Sequence, residues 1–302
     1  MDQLFMPVLI ARLPLLLSPL QLHFPSIFSM TLHITCFSPT GTSRAVAQAV
    51  AEGTGLTYGK AIDVTYTPLD SITTYTANDL LIISVPVYGG LVAPLALERL
   101  ENLRGNQTPA VLLTVYGNRD FEKAPAQLAE FLTQRGFIPV AAGAFVGEHS
   151  YSTSTHPIAP GRPNTADLQE AKTFGQKVAD KLRTGSCTPI DVTRMPRPRS
   201  GFFNMLGFIL FVLRYRRQAK KHPVKIVPTT DADRCTTCGK CAKLCPTQAI
   251  DPLHPTETDP TRCIKCSACV KQCPRHARTL ATPFGPKLSR YFKRQKPNIT
   301  IS

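Results

Sequence analysis

The 302-residue chain is predicted to fold as an α/β protein, a doubly wound, five-stranded parallel sheet followed by a small α+β module stapled by its cysteines. Three observations carry this. From residue 31 to residue 183, short apolar runs alternate with helical patterns, which implies βαβ units and a parallel sheet with helices on both faces. Eight of the ten cysteines fall in two copies of one spacing between residues 235 and 274. Charge is unevenly placed: residues 1–180 hold 11 Lys and Arg against 14 Asp and Glu, and residues 181–302 hold 24 against 6, so the cysteine-rich half is strongly basic.

Taken in order, the apolar run 32–37 is the first expected strand and the Ala/Val-rich stretch 43–53 the first helix. A weaker strand lies near 61–65, and the unbroken apolar run 79–86 reads as a strand buried on both faces. A helix at 94–103, a strand at 110–116, a helix at 121–135, a strand at 137–145 and a closing helix at 166–183 complete the pattern. Residues 1–30 are apolar but interrupted by Pro7, Pro14, Pro19 and Pro25. They lack the charged start and clean apolar core of a secretory signal, a twin arginine, and the roughly 20 uninterrupted apolar residues of a spanning helix. They are expected to be an upstream extension or the product of a mis-chosen start codon. Cys36 is expected to pack in the core and Cys187 to be a free thiol.

Ligands of such sheets sit beyond the strand C-termini, at the switch in strand order. The first strand runs into Ser38-Pro39-Thr40-Gly41-Thr42-Ser43-Arg44, which opens a helix. Hydroxyls and a glycine at a helix N-terminus offer several donors to an anion, and the helix dipole favours negative charge there. The loop is neither a Walker A motif nor a dinucleotide fingerprint, and an ordinary Ser/Thr cap is the plainer alternative. Two later strand ends, Pro86-Val87-Tyr88-Gly89-Gly90 and Tyr116-Gly117-Asn118-Arg119, place an aromatic ring beside glycines that let backbone approach a ligand.

These three loops resemble those of the flavodoxins, over residues 31–183. The resemblance implies FMN, with Ser38, Thr40, Gly41, Thr42 and Ser43 around its phosphate, and with Pro86, Val87, Tyr88, Gly89, Gly90, Tyr116, Gly117, Asn118 and Arg119 bordering the isoalloxazine. Val146-Gly147-Glu148-His149-Ser150 also looks like part of the bacterial proteins in which a flavodoxin-like domain is fused to a ferredoxin. Glu148 and His149 are read either as a proton pair beside the flavin or as a hydrogen-bonded structural pair. No catalytic constellation stands out.

The cysteine pattern is Cys235-x2-Cys238-x2-Cys241-x3-Cys245-Pro246, repeated as Cys263-x2-Cys266-x2-Cys269-x3-Cys273-Pro274. Three closely spaced thiolates on a loop suit one face of an iron–sulfur cube, and in two-cluster proteins the fourth Cys of each run ligates the other cluster. One [4Fe–4S] cluster is therefore assigned to Cys235, Cys238, Cys241 and Cys273, and a second to Cys263, Cys266, Cys269 and Cys245. A zinc ribbon would use paired C-x2-C knuckles and explains neither the third Cys nor the repeated Cys-Pro. The segment 231–281 resembles the bacterial-type 2[4Fe–4S] ferredoxins, although Arg275, His276 and Arg278 stand where that family more usually has small or apolar residues. Positive charge around the clusters is expected to raise their potentials.

The expected organisation is an extension at 1–30, a flavodoxin-like domain at 31–183, a basic linker at 184–230, the cluster module at 231–281 and a basic tail at 282–302. Within the linker, the apolar run from Phe202 to Leu213 is too short to span a bilayer and is expected to be a short helix that docks one domain on the other, with peripheral membrane contact as the alternative. The combined expectation is a cytoplasmic electron-transfer flavoprotein passing electrons between FMN and two clusters to a redox protein partner, an acidic one given the basic face. The alternatives are an FMN-dependent reductase of a small acceptor such as a quinone, or a cluster-based redox sensor. Nucleic-acid binding is not expected, because no binding motif accompanies the charge.

Overall fold

The computed structural model describes residues 27–184, 187–223 and 225–302. The proline-interrupted segment 1–26 lies outside the described residues. Five parallel strands form the sheet: β1 (Thr31–Cys36), β2 (Thr57–Asp63), β3 (Asp79–Tyr88), β4 (Thr108–Tyr116) and β5 (Phe137–Val146). Their spatial order is β2-β1-β3-β4-β5, the flavodoxin-like doubly wound order, which places the switch point between β1 and β3.

The unbroken apolar run in β3 follows from burial on both faces. Leu80 and Ile82 pack with Val46 and Val50 of α1 (Thr42–Thr54), while Leu81 and Ile83 pack with the helices across the sheet. Those helices are the short α2 (Pro94–Arg99) and α3 (Ala124–Thr133), with Leu128 and Leu132 pointing inward. On the first face α1 meets α4 (Thr165–Arg183), which begins with a capping box between Asn164 and Asp167. The two helices approach closely at glycines: a Cβ on Gly175 would stand 2.0 Å from the Val50 carbonyl oxygen.

Several expectations change. Helix α2 stops at Arg99 rather than running to 103, because Leu103–Gly105 pairs in parallel with Thr73–Tyr75. Strand β3 runs on through Val87 and Tyr88 into a hairpin with Leu91–Val92. Its two loop residues, Gly89 and Gly90, have φ 63° and 89°, the left-handed pair that such a tight turn needs. The basic tail at 282–302 is structured. It carries α8 (Phe284–Tyr291) and ends in a sixth strand, β6 (Ile299–Ile301), antiparallel to β5 at the sheet edge.

The linker run is longer than expected, a 20-residue helix α5 (Phe202–Lys221). One face packs on α8 and the residue after it: Phe208 is buried against Phe292, ring centroids 5.1 Å apart, and Phe211 meets Phe284 at 5.3 Å. No helix among the described residues is long and apolar enough to cross a membrane.

The cysteine module is a near-repeat of 28 residues. Its short helices α6 (Lys240–Lys243) and α7 (Ala268–Lys271) correspond, and so do its left-handed residues: Thr237 with Lys265, Gly239 with Ser267, Gln248 with His276. A two-residue antiparallel pairing of Thr229–Thr230 with Arg278–Thr279 closes it. The module sits on the C-terminal edge of the parallel sheet. Lys271 Nζ donates to Glu148 Oε1 at 2.8 Å, Gln272 Nε2 donates to the Pro39 carbonyl at 3.4 Å, and Arg99 donates to the Pro246 carbonyl.

Candidate redox site

The loop after β1 forms as a helix start. Gly41 takes φ 85°, Gly41 N–H donates to the Ser38 carbonyl, and Ser38 Oγ accepts from the Arg44 amide at 3.0 Å. Ser38 is thus partly engaged in capping. A helix start cannot pair its first amides internally, so those of Thr42 and Ser43 remain for an anion. The Ser43 hydroxyl is fully buried with no partner among the described residues, as a donor awaiting a ligand oxygen would be. Thr42 borders the loop after β5, lying 3.6 Å from where a Cβ on Gly147 would stand.

Beyond the ends of β3, β4 and β5 lies a cavity of about 640 Å³, within the range of cofactor sites. Val87, Tyr88, Gly89, Gly90, Gly117 and Arg119 line it, together with His149 and Tyr151 after β5, Phe208 and Leu213 of α5, and Ile264 and Lys265 of the cysteine module. Gly117 permits the approach of His149, whose ring would meet a Cβ there at 2.3 Å. Tyr151 N–H donates to His149 Nδ1 at 3.0 Å, so a neutral imidazole carries its proton on Nε2. Burial lowers the His149 pKa to about 4, helped by Lys271 and Arg119. Burial also raises the phenol of Tyr88 well above its usual value. The acidic groups at the cavity wall are paired, Glu122 with Arg119 and Asp120 with Arg197.

Pro86, Tyr116 and Asn118 are not part of this wall. Pro86 stays in the sheet, paired with Val115. Tyr116 is buried, packs edge-on against Phe121, and donates its hydroxyl to the Pro297 carbonyl at 3.0 Å. Asn118, in a left-handed conformation, donates to the carbonyls of Phe292 and Arg294 and accepts from the Lys296 amide. These two residues fasten the C-terminal segment, and neither lines the cavity. Glu148 and His149 are likewise not paired: Glu148 holds Lys271 and the Gly161 amide, and this lowers its pKa. His149 was placed at the ring site in one of the two readings of its pair with Glu148, whereas Tyr151 and the α5 side chains were not assigned to it from sequence. Their only local signal was the aromatic and basic run itself.

The eight ligand-spaced thiols form two sets. Cys235, Cys238, Cys241 and Cys273 surround one small void, and Cys245, Cys263, Cys266 and Cys269 surround another, so the fourth Cys of each run lies with the first three of the other, the grouping of two-cluster proteins. No group of three His, Cys, Asp or Glu fit for a single metal ion occurs among the described residues. The Ala249 amide donates to Cys245 Sγ at 3.2 Å and the Ala277 amide to Cys273 Sγ at 3.3 Å, repeat-related bonds that favour thiolate. Arg278 is 3% exposed and donates to Cys241 Sγ at 3.6 Å, to the Pro255 carbonyl and to Thr258 Oγ1, with no carboxylate among its partners. A buried guanidinium without a counter-charge is costly, and an anionic cluster against Cys241 would supply one.

Residues 228–279 match the family described as the 4Fe-4S dicluster domain. The chain joins a flavodoxin-like fold to a 4Fe–4S dicluster segment. Comparison with curated proteins finds no match. Among solved structures, the chain is similar to a flavodoxin from the domain Archaea, at 16% identity over 51% of this chain and 99% of that one, with a TM-score of 0.32. It is also similar to a WrbA-like flavodoxin from Agrobacterium tumefaciens (18%, 52% and 99%, TM-score 0.33) and to a Streptococcus pneumoniae flavodoxin (17%, 50% and 99%, TM-score 0.34). The assignment of the fold rests on the strand order. A dicluster segment on such a fold has the parts of redox electron transfer.

Proposed function

We propose that the protein is an electron-transfer iron–sulfur flavoprotein, with FMN in the cavity, two [4Fe–4S] clusters in the two thiol sets, and an acidic redox protein as partner. The observation that carries this reading is the position of the ligand loop Cys263-Ile264-Lys265-Cys266: Ile264 and Lys265 form one wall of the cavity, so this thiol set lies against the flavin site. A flavin exchanges electrons singly or in pairs and a [4Fe–4S] cluster exchanges them singly. The Thr42 and Ser43 amides and the Thr40 and Ser43 hydroxyls would hold the phosphate, and Tyr88, Gly89, Gly117 and Tyr151 would border the ring. His149, neutral at physiological pH, keeps one N–H to donate. The ion pair of Lys271 with Glu148 clamps the near cluster loop to the sheet.

The second thiol set faces outward. Cys238 is exposed, as are Arg234, Lys240, Lys243 and Arg275 around it. That surface suits a partner of opposite charge, with association weakened by salt. The volume of the cavity favours a second reading, an FMN-dependent reductase of a small acceptor, because a flavin ring need not fill it.

Anaerobic dithionite titration of cluster-reconstituted protein with added FMN tests the proposal. Flavin and cluster absorption bleaching together, at one retained flavin per two clusters, is the expected result. Cluster bleaching with no retained flavin would overturn it.

A further inference from the structure

Helix α5 has two apolar faces, and only one is covered. The face opposite α8 carries Phe202, Phe203, Leu206, Ile209, Leu210 and Leu213, exposed by between 41% and 83%. Their three- and four-residue spacing makes one continuous stripe along a helix about 30 Å long. A patch of this extent on a folded chain marks an interaction surface.

The surrounding charge indicates what covers it. Between Asp191 and Asp231 the chain has nine basic residues and no acidic one. Arg214, Arg216, Arg217, Lys220 and Lys221 are exposed at the C-terminal end of the stripe. At its other end, beside Phe202, lies a cleft of about 540 Å³ whose lining includes Arg199, Arg290, Lys293, Arg294 and Lys296 and no acidic residue. Cations at both ends of an apolar stripe match a helix lying in the plane of lipid headgroups, its apolar side chains at the acyl boundary and its Lys and Arg at the phosphates. We propose that α5 docks this protein on an anionic phospholipid surface. Ile209 and Leu213 lie on the stripe and also line the 640 Å³ cavity, so docking turns the cavity mouth toward the bilayer.

The experiment is vesicle flotation of the full chain, with phosphatidylcholine alone and with phosphatidylcholine mixed with phosphatidylglycerol. Flotation is expected only with the anionic mixture, and it should weaken as salt is raised. Replacing both Phe202 and Phe203 by Ser should abolish it. Arg214→Ala with Arg217→Ala should lower partitioning roughly 30-fold, at about 1 kcal/mol per lost charge. Because the chain contains no tryptophan, Phe203→Trp adds a single reporter, whose emission should shift to the blue with anionic vesicles. Wild-type protein remaining in solution with anionic vesicles would overturn the proposal. So would unchanged flotation of the double Phe variant, which would place the contact elsewhere. A lipid-free dimer that this variant converts to monomer would assign the stripe to a second copy of the chain and also overturn it.

Discussion

Replacing Arg278 by Met removes a buried positive charge beside Cys241 while keeping most of the side-chain volume. The guanidinium Nη1 lies 3.6 Å from Cys241 Sγ. At an effective dielectric constant near 20, a unit charge at that distance is worth at most about 4.6 kcal/mol. The electron added on reduction is spread over the whole cluster, so roughly half of that is realised, about 2 kcal/mol. For a one-electron couple this corresponds to about 100 mV. The sign is fixed: without Arg278 the more negative, reduced cluster is less stabilised, and the potential of the set Cys235, Cys238, Cys241 and Cys273 falls. Redox titration monitored by electron paramagnetic resonance on wild-type and Arg278→Met protein of equal iron content measures the difference. Arg278→Lys should recover most of the wild-type value. Potentials that coincide in all three proteins would refute the reasoning, and would mean that solvent or protein dipoles screen this charge.

Cys273→Ala should cost the cluster of Cys235, Cys238 and Cys241, although those residues lie in the other run; iron analysis should show about half the wild-type content, with the signal of the second set kept. Gly175→Ala forces a methyl group against the Val50 carbonyl at the α1–α4 crossing and should destabilise the fold by about 1–3 kcal/mol in urea unfolding. Asn118→Ala strands the backbone groups that hold the C-terminal segment, so amide exchange of β6 should accelerate well before global unfolding. Burial lowers the His149 pKa from 6.5 to about 4, so the unfolded chain binds this proton more readily. Folding stability should therefore fall as pH drops through that window, and His149→Gln should flatten the slope there in unfolding measured across pH. The Glu148 carboxylate is lowered instead, so its contribution is present above its unfolded pKa and is lost as pH falls through its folded value. Being partly exposed, the pair with Lys271 should contribute less than about 1 kcal/mol, read as the difference between wild type and Glu148→Gln at neutral pH that vanishes in acid.

Features with a local cause were legible in the residues. Each main strand and helix appeared near its expected place, because periodicity of two or 3.6 residues records which face is buried. The cysteine runs were readable for the same kind of reason: a cluster loop is short, so its ligand spacing is a sequence property, while the crossing of Cys245 and Cys273 came from the two-cluster arrangement the runs resemble. The hydroxyl loop after β1 was visible as a helix start.

What escaped was set by partners far away in the chain. Tyr116 and Asn118 look like ring-bordering residues until Pro297 and Phe292, more than 170 positions later, claim their polar groups. Nothing local in the basic tail announces the strand Ile299–Ile301, which forms because β5 offers it an unpaired edge. Glu148 turns from His149 to Lys271, and Ile264 and Lys265 become a cavity wall, only because the cysteine module settles on the C-terminal edge of the sheet. Element type and ligand chemistry thus lay in the residues and their spacing, since short-range sterics and burial dictate them. The placement of the two parts against each other, and with it the contact between the cavity and the cysteine loop, was decided by packing and hydrogen bonds across long separations, which leave no period in the chain.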